Sequence, residues 1–397
     1  MTVSVIDERN LKFIVDVITE IKKDTKGNDK VYDHVVIKLK NTVNNQSRIH
    51  PYTEFLDCWS SKSTNTRLKY ANDIVPFLNY IYFELDEKIL PSINELTIEL
   101  GVDYLNRLGL DKKKNTVKAI TKSITKFYYF LVKKKVLKYV TYNDFTKHKN
   151  ATICQAFEVG LRLPIHMSNT TPLHNIDENL IFEFIYTAMK YTPEIALGIY
   201  FQIFGGLRVG EVCNLTYQSI AYINEGHGGL ILNVKNNNLR PDLKKKAYVK
   251  TPGKQPVYAV GSLLVELLEI QKKKYSNKEK YALFIDIQGK AMSVDTYRNR
   301  FNTVKRQFIE NLKKQDNPLL IRYAAVLSAE KWSTHIGRSI YSNLVADHAS
   351  NITEIAVKRR DSNLTSSLTY VIGTKELDKK LLKTANKILG NIVNTNK

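Results

Sequence analysis

Residues 331–374 read KWSTHIGRSIYSNLVADHASNITEIAVKRRDSNLTSSLTYVIGT, and this segment decides how the rest of the chain is interpreted. His335 and Arg338 stand three positions apart, so on a helix both side chains lie on one face. Apolar residues at helical spacing follow them: Ile340, Leu344, Ile352, Ile355 and Ala356. Tyr370 comes 32 residues after Arg338. A phenol can attack a phosphodiester if neighbouring groups hold the phosphate and stabilise the charge of the transition state.

The segment alone does not establish such chemistry. A His-x-x-Arg pair occurs in many helices, where most examples are surface or structural residues. The chain also has 23 tyrosines, and a single tyrosine is usually a core or surface residue. Other parts of the sequence therefore have to supply the remaining groups of a phosphate-handling site.

The composition indicates a globular and strongly basic protein. With 397 residues, 43% of them hydrophobic, the chain is long enough for two or three domains with their own cores. The net charge of +21 indicates a polyanionic partner, most simply nucleic acid. A lysine-rich composition that reflects codon bias is the alternative explanation.

Three features concern the cellular location. Cys58, Cys154 and Cys213 lack the spacing of metal ligands, and we interpret them as buried thiols in a reducing compartment. The N-terminal residues MTVSVIDERN are charged early, unlike a signal peptide, and no apolar run is long enough to cross a membrane. We therefore expect a cytoplasmic, DNA-associated protein without membrane contact.

The N-terminal extension, residues 1–48, has no evident function. Its apolar residues suggest a helix: Leu11, Phe13, Ile14, Val17, Ile18 and Ile21. The segment KKDTKGNDK, residues 22–30, is expected to be a polar loop. An additional DNA-contacting arm and a simple packing extension both remain open.

Residues 49–150 are expected to form an all-helical domain. SKSTNT, residues 61–66, offers N-cap residues for one helix, and Pro76 predicts a kink or a late start in it. The clearest helix spans 115–132, where apolar residues recur at intervals of three and four. These residues are Val117, Ile120, Ile124, Phe127 and Leu131.

A lysine stripe occupies another face of this helix. It consists of Lys118, Lys122 and Lys126, preceded by Lys112, Lys113 and Lys114. Because no acidic residue interrupts the stripe, we interpret it as a surface that contacts DNA phosphates. The alternative is a solvated polar face.

A linker and a second domain are expected to follow. Residues 151–175 contain LRLPIHMSNTTPLHN, whose two prolines and polar cluster are typical of a linker. The second domain, residues 176–397, is expected to begin with helices at about 177–190 and 193–204.

The segment FGGLRVGEVCNLTYQSI, residues 204–220, contains a further candidate arginine. Gly205 and Gly206 end the preceding helix, so Arg208 stands at the start of a new one. Its guanidinium group can bind a phosphate there, and Glu211 is close enough to orient a basic group. An arginine that caps a neighbouring element is the alternative.

Two strands are predicted next, GGLILNV at 228–234 and AYVKTPGKQPVYAV at 247–260, with TPGKQ as the turn. A lysine on such a hairpin can donate a proton. Lys250, Lys235 and Lys254 are the candidates for this role. A helix at about 261–274, a short strand at 281–287 and a basic helix at 293–312 complete the pattern.

Taken in chain order, these residues resemble the signature of the tyrosine recombinase (phage integrase) family. GGLRVGEVCNL resembles the box of the first arginine, and VKTPGKQPVYAV resembles the hairpin with the lysine. LFIDIQGKAMSVDTYRNRFNTV resembles the stretch before the His-x-x-Arg pair, and the interval from Arg338 to Tyr370 is the usual one. The helical region 49–150 is similar to the core-binding domain of the family. The resemblance therefore extends over most of the chain.

The resemblance implies a fold that is mainly α with a small antiparallel β-sheet. A helical core-binding domain and a mixed α/β catalytic domain would form a clamp around duplex DNA. The implied partners are specific recombination sites in double-stranded DNA, a homo-tetramer in the synaptic complex and accessory DNA-bending proteins. The implied process is integration or excision of a mobile element, and neither a cofactor nor a metal ion is needed.

The resemblance also implies a role for each candidate residue. Tyr370 would attack the scissile phosphate and form a 3′-phosphotyrosyl intermediate with a free 5′-hydroxyl. Arg208 and Arg338 would hold the non-bridging oxygens. Lys250 would protonate the leaving 5′-oxygen, and His335 would bind the phosphate or assist proton transfer from the tyrosine.

Two positions depart from the family pattern. The family usually has Gly-His before the tyrosine, with His or Trp nine positions upstream; here Asp361 takes that position, preceded by Arg359 and Arg360. An ionised aspartate cannot act as a phosphate-binding cation, although we include Asp361 among the candidate catalytic residues. Ser219 replaces an acidic residue that often follows the first box.

The C-terminal segment 374–393 is predicted to be an amphipathic helix. In the family such a tail can dock on a neighbouring protomer; docking on its own domain is the alternative. Two other functions remain open at this point. One is a type IB topoisomerase-like enzyme that relaxes DNA as a monomer, and the other is a catalytically inactive DNA-binding protein of the same fold.

Overall fold

The computed structural model describes residues 10–23, 25, 27, 29–85, 90–148, 151–162, 175–223, 228–243, 246–275, 282–346, 349 and 352–361. The chain divides into two compact units, Met1–Asn169 and Thr170–Lys397. Each unit has its own buried hydrophobic core, so each is described by itself. The expected fold class, mainly helical with small antiparallel sheets, is confirmed.

The first unit begins with a three-stranded antiparallel sheet. Strand β1 (Leu11–Lys23) pairs along its whole length with β2 (Asp29–Asn41). Strand β3 (Ser47–Ile49) extends the sheet on the other side of β2. The helix predicted from the apolar residues at 11–21 was therefore wrong.

The reason lies in how the apolar residues of β1 are arranged. Phe13, Val15 and Val17 alternate along the strand and pack against the core of the first unit. Ile14 and Ile18 lie on the other face, so the two sets together imitate helical spacing. The β-branched residues favour an extended backbone, and pairing with β2 determines the outcome.

Helices and a second hairpin form the rest of the first unit. They are α1 (Thr53–Asp57), α2 (Thr64–Asn79), a π-helical turn (Tyr80–Glu84), α3 (Ile98–Asp111), α4 (Lys114–Lys133), β4 (Phe145–His148), β5 (Ala151–Cys154) and α5 (Gln155–Gly160). The Ser63 hydroxyl caps α2 by accepting a hydrogen bond from the backbone of Thr66, as SKSTNT predicts. The first residues of the expected linker form β5 and α5, whereas 163–174 lie outside the described residues.

The second unit is built around one buried helix. Its helices are α6 (Ile181–Tyr191), α7 (Pro193–Phe204), α8 (Val209–Val212), α9 (Leu263–Tyr275), α10 (Val294–Lys313), α11 (Pro318–Ala329), α12 (His335–Ala346) and α13 (Ile352–Lys358). Every residue of α7 from Glu194 to Phe204 is buried, so the other helices pack around it. Among the described residues, no helix is long and apolar enough to cross a lipid bilayer.

The sheet of the second unit has the strand order β6 (Ile220–Tyr222), β7 (Leu230–Val234), β8 (Gly253–Val257) and is antiparallel. Strand β8 is shorter than the predicted strand 247–260, and it contains residues that were expected to form the turn. The strand predicted at 281–287 was also wrong. Its residues form only isolated bridges, from Ala282 to Thr216 and from Ile285 to Ala291.

Two glycines allow close packing around α7. A Cβ atom on Gly337 of α12 would lie 2.7 Å from Gln202 Cβ on α7, so this glycine lets the two helices approach each other. Gly206, after the end of α7, has a φ of +65°, and a Cβ atom there would lie 2.4 Å from the ring of Tyr341. Gly337 thus lets α12 pack closely on α7, and Gly206 lets the segment that leads into α8 pack closely on Tyr341 of α12.

We expect Gly206→Ala to destabilise the second unit more than Gly261→Ala. Gly261 also has a left-handed backbone, with a φ of +53°, but no atom lies within 4 Å of its Cβ position. The control therefore measures the backbone cost alone, about 1 kcal/mol, while Gly206→Ala adds the collision with Tyr341, about 1–3 kcal/mol more. Urea unfolding measures both, and equal losses would contradict the packing argument.

Candidate functional site

Six charged side chains of the second unit form one contact network, which we call the arginine cluster. Its members are Arg208, Arg338, Arg359, Arg360, Glu211 and Asp361. They come from the start of α8, from α12 and from the residues that follow α13. Four guanidinium groups and two carboxylates give the cluster a formal charge of +2.

Arg338 is the buried centre of the cluster, with 3% of its side chain exposed. Its Nη1 donates to the Gly206 carbonyl, and its Nη2 donates to the Arg359 carbonyl and to Asp361 Oδ1, the latter at 2.8 Å. Burial, followed by repulsion from Arg208 and Arg359, lowers its pKa to about 10. Arg338 therefore remains charged at neutral pH.

Arg208 precedes α8 and is the most exposed arginine of the cluster, with 22% of its side chain accessible. Its backbone N–H donates to Glu211 Oε2 at 2.8 Å, and its Nη1 donates to Glu211 Oε1 at 3.3 Å. Its Nη2 donates to Asp361 Oδ1 at 2.5 Å. This geometry agrees with the expectation that Glu211 orients a basic group, because the fully buried carboxylate holds the arginine on two sides.

Asp361 lies between three guanidinium groups. Oδ1 accepts from both Arg208 and Arg338, while Oδ2 is 3.0 Å from Arg359 Nε, and 2% of the side chain is exposed. Burial alone would raise the pKa of this carboxyl, but the charges of Arg338 and Arg359 outweigh it and hold the pKa below its usual value. At neutral pH Asp361 is therefore an anion, in the position where the resemblance leads one to expect histidine.

Arg360 connects the cluster to the sheet. Its Nε donates to Gln255 Oε1 at 2.6 Å, its Nη1 donates to the Thr251 carbonyl at 2.9 Å, and its Nη2 lies 3.1 Å from Glu211 Oε2. Its backbone has a φ of +52°, which is costly for a residue with a side chain. Glycine, the residue usual at this position in the resembling family, adopts this conformation readily.

The segment that contains Lys250 is attached to the cluster on both sides. Thr251 accepts the hydrogen bond from Arg360, and the Tyr248 carbonyl lies 2.7 Å from where a Cβ atom on Gly210 would be. Lys250 itself is exposed. Lys254 is also exposed, on β8 opposite Asn233, and Lys235 follows β7. The preference for Lys250 remains a prediction.

His335 begins α12, one turn before Arg338. The pKa of its imidazole lies below the usual value, first because partial removal of the ring from water disfavours the cation and then because Arg338 and Arg208 repel it. A neutral imidazole can donate one hydrogen bond and accept another.

Tyr370 and the predicted tail helix 374–393 lie outside the described residues. Their expected roles therefore stay predictions. The described residues end at Asp361, which stands nine positions before Tyr370 in the sequence.

The lysine stripe belongs to α4 of the first unit, as expected. Lys118 and Lys122 are exposed, and so are Lys112 and Lys113, while Lys114 is half-buried. Lys126 is different, because its Nζ lies 4.4 Å from the ring centre of Trp59 and 4.5 Å from that of Tyr70. It also donates to the Tyr70 hydroxyl at 2.6 Å. The ammonium group of Lys126 thus contacts two aromatic rings, and Lys118 and Lys122 are the exposed lysines of the stripe.

Sequence reasoning missed three residues of the site, two members of the arginine cluster and one partner of the cluster. Arg359 and Arg360 were noted only as the residues before Asp361, although the run KRRD at 358–361 is a recognisable signal of clustered charge. Gln255 was assigned to a turn, whereas its amide, on β8, accepts from Arg360 and donates to the Lys358 carbonyl at 3.1 Å. The two contacts of Gln255, with Arg360 and with Lys358, each join residues about a hundred positions apart in the chain.

The arrangement is suited to binding a tetrahedral oxyanion. Guanidinium groups present parallel N–H donors that match phosphate oxygens, and two of them here converge on a single oxygen position. Within the described ranges, no group of three or more His, Cys, Asp or Glu side chains could hold a metal ion.

The comparisons with known proteins agree with this geometry at the level of the fold. No protein-family model matches the sequence, and no curated protein does either. A solved structure of the Tn1549 transposon integrase in complex with circular intermediate DNA is similar, with 15% identity, a TM-score of 0.57 and coverage of 83% of this chain and 97% of that one. The XerH site-specific recombinase bound to a palindromic difH substrate has 16% identity, a TM-score of 0.53 and coverage of 84% and 83%. The chain thus has the fold of the tyrosine recombinases.

We expect Arg360→Ala and Arg360→Gly both to accelerate amide hydrogen exchange in β8, because both remove the contacts to Thr251 and Gln255. The alanine variant should be less stable than the glycine variant by about 1 kcal/mol, since only glycine adopts the left-handed backbone without strain. Exchange followed by mass spectrometry and urea unfolding measure the two effects.

Lys358→Ala is the matched control for these variants. Lys358 pairs with Glu354 on the surface of α13, and its side chain does not reach β8 through any contact that the structure describes. It should change stability by less than about 1 kcal/mol and leave exchange in β8 unchanged. If β8 exchanges at the natural rate in the Arg360 variants, Arg360 does not hold the hairpin.

Proposed function

We propose that this chain, which has the fold of the tyrosine recombinases, is a site-specific DNA recombinase that cuts and rejoins strands through a covalent phosphotyrosyl intermediate. The observation that carries the proposal is that Arg208 and Arg338 donate hydrogen bonds to the same oxygen atom, Oδ1 of Asp361, at 2.5 and 2.8 Å. The family resemblance of the sequence implies that the same two arginines bind the scissile phosphate. The DNA in the related integrase and recombinase structures supports double-stranded DNA as the substrate.

The chemistry follows from the groups that surround the phosphate. The Tyr370 oxygen forms a bond to phosphorus as the bond from phosphorus to the 5′-oxygen breaks, and the 3′-phosphate stays on the tyrosine. Arg208 and Arg338 bind the non-bridging oxygens and stabilise the charge that develops on them. Attack by another 5′-hydroxyl reverses the step and joins a new strand, so the phosphodiester bond energy is conserved.

Proton transfer is assigned to the groups on the edge of the cluster. Lys250 donates a proton to the leaving 5′-oxygen, which is consistent with its exposed position beside the Arg360 contact. His335, whose imidazole pKa is lowered by partial burial and by the neighbouring arginines, accepts the phenolic proton of Tyr370 or binds the phosphate. The net positive charge of the chain favours association with DNA.

A mobile element is the proposed context of the reaction. The Tn1549 protein is named as a transposon integrase, and it is similar over 97% of its solved chain. Assembly of four protomers on two DNA sites, with the tail 374–393 docked in trans on a neighbour, is the arrangement that the resemblance implies. A heterologous contact of this kind closes into a ring.

Tyr370→Phe should abolish covalent attachment to DNA while leaving DNA affinity nearly unchanged, because only the phenolic oxygen is removed. Duplexes selected by the natural protein from a random pool, then nicked at each position in turn, serve as suicide substrates. Covalent complexes are detected by denaturing gel electrophoresis. An adduct in the variant would exclude Tyr370 as the nucleophile.

A second readout separates recombination from other outcomes. Products that join strands from two different selected duplexes indicate a recombinase, whereas relaxation of supercoiled DNA without exchange indicates a topoisomerase-like enzyme. If the natural protein binds the selected duplexes and forms no adduct at any nick, it is a non-catalytic DNA-binding protein and the proposed function is wrong.

Replacing Lys118 and Lys122 with Gln should weaken DNA binding and reduce the slope of log affinity against log salt by about two, one unit for each phosphate contact. Lys126→Gln is the matched control from the same stripe. Because Lys126 packs between Trp59 and Tyr70, its loss should lower the stability of the first unit by about 1 kcal/mol and leave the salt slope unchanged. Fluorescence anisotropy at several salt concentrations measures the slope. An unaltered slope in the double variant would show that the stripe is a solvated face that does not contact phosphates.

A further inference from the structure

We propose that the Asp361 carboxylate is an internal substitute for the DNA phosphate. The carboxylate occupies the arginine cluster until a phosphate displaces it. We call the carboxylate in this position the Asp361 plug. The inference rests on the proposed function, because it takes Arg208 and Arg338 as the ligands of the scissile phosphate. It adds a regulatory step that residue types alone do not indicate.

The plug uses the donors that a bound phosphate needs. Arg208 Nη2 and Arg338 Nη2 both reach Oδ1 of Asp361, at 2.5 and 2.8 Å. A non-bridging phosphate oxygen held by both arginines would use the same two groups at the same point. The carboxylate and the phosphate therefore exclude each other from this position.

The contacts of Arg338 indicate which acceptor leaves. Nη2 carries two hydrogens and contacts two acceptors, the Arg359 carbonyl and Asp361 Oδ1. The carbonyl belongs to a backbone that is itself held, since the Arg359 N–H donates to the Ile355 carbonyl at 3.0 Å. Withdrawal of the Asp361 carboxylate breaks its contacts with the three arginines, whereas the hydrogen bond from its backbone N–H to the Ala356 carbonyl can persist when the side chain rotates.

Charge balance explains why an anion occupies the site before DNA arrives. Arg338 and Arg359 are almost completely buried, and buried cations without a counter-ion are strongly unfavourable. Asp361 supplies that counter-ion in the absence of DNA, and a phosphate supplies it afterwards. The exchange replaces one anion with another, so the arginines stay compensated in both states.

The plug also has a consequence for cleavage. While Asp361 holds Arg208 and Arg338, those guanidinium groups cannot stabilise the charge of a transition state on phosphorus. Attack by the tyrosine is thus suppressed until a phosphate has entered the cluster and displaced the carboxylate.

The test measures binding of inorganic phosphate to the full-length chain, so it does not depend on knowing the DNA site. Thermal unfolding is followed at increasing phosphate concentration, neutral pH and constant ionic strength, because a ligand of the folded state raises the melting temperature according to its affinity. Asp361→Asn keeps the size of the side chain and removes its charge. We expect this variant to bind phosphate about tenfold more tightly than the natural chain, or better, since a charged competitor for the same donors is gone.

Two controls locate the effect. Glu211→Gln removes the same unit of charge, but Glu211 holds Arg208 Nη1 and Arg360 and does not reach Arg338 in the described contacts. It should therefore show no comparable gain. Combining Asp361→Asn with Arg208→Gln should abolish the gain, because one of the two converging donors is then missing.

Each outcome decides the proposal. Tighter phosphate binding in Asp361→Asn alone supports it, and so does a variant that is unstable without phosphate and regains stability when phosphate is added. Equal phosphate affinity in the variant and the natural chain would overturn it. An equal gain in Glu211→Gln would also overturn it, because net charge would then explain the result. If the variant stays unfolded at every phosphate concentration, Asp361 is required for folding and the proposed exchange with phosphate is wrong.

The nicked-duplex assay separates this proposal from the proposed function. If Asp361→Asn binds phosphate more tightly and the natural chain forms no covalent adduct, the Asp361 plug is supported and the proposed recombinase activity is wrong. If the natural chain forms an adduct and the variant binds phosphate no more tightly, the recombinase activity is supported and the Asp361 plug is wrong.

Discussion

The burial of Arg338 is the constraint on which the second unit depends. A guanidinium group that is almost fully removed from water must keep its charge compensated and its N–H groups bonded. Two backbone carbonyls and the Asp361 carboxylate meet this need, and they come from both sides of the residue in the chain. The segment before α8 and the segment after α13 are thereby held against α12. One side chain thus determines where three parts of the chain meet.

The surrounding backbone is built to allow this meeting. Gly206 turns the chain so that its carbonyl reaches Arg338, and Gly337 lets α12 approach α7 closely. Arg360 then extends the network to the sheet, because its contacts with Thr251 and Gln255 attach the lysine-bearing segment to the cluster. Packing and electrostatics therefore act on the same residues. A change in the backbone at either glycine would also disturb the geometry of the arginine cluster.

The cluster also shows how an apparent departure from a family pattern can be reconciled with the family's chemistry. An aspartate in place of a histidine at position 361 suggests a lost phosphate ligand when only residue types are considered. In the structure that aspartate holds the two arginines that are assigned to the phosphate. On the proposed function, its negative charge keeps the arginines compensated and in position before the substrate arrives. The proposed Asp361 plug would then concern the state without DNA and leave in place the donors that the proposed reaction requires.

The sequence alone predicted the mainly helical fold class and most helices of the second unit, because helical periodicity is a local property. The family resemblance, and not periodicity, assigned Arg208, His335 and Arg338 to one site, and that assignment stays a prediction. It misjudged β1 as a helix, since which face of a strand is buried depends on its partner β2. It also missed Arg359 and Arg360 as members of the cluster and Gln255 as a partner of Arg360, because the contacts of Arg360 with Gln255 and Glu211 join residues far apart in the chain. Tertiary structure alone decided that Asp361 lies between Arg208, Arg338 and Arg359. The physical reason is that the energy of a charge depends on which other charges and how much water surround it, and only the folded chain determines those surroundings.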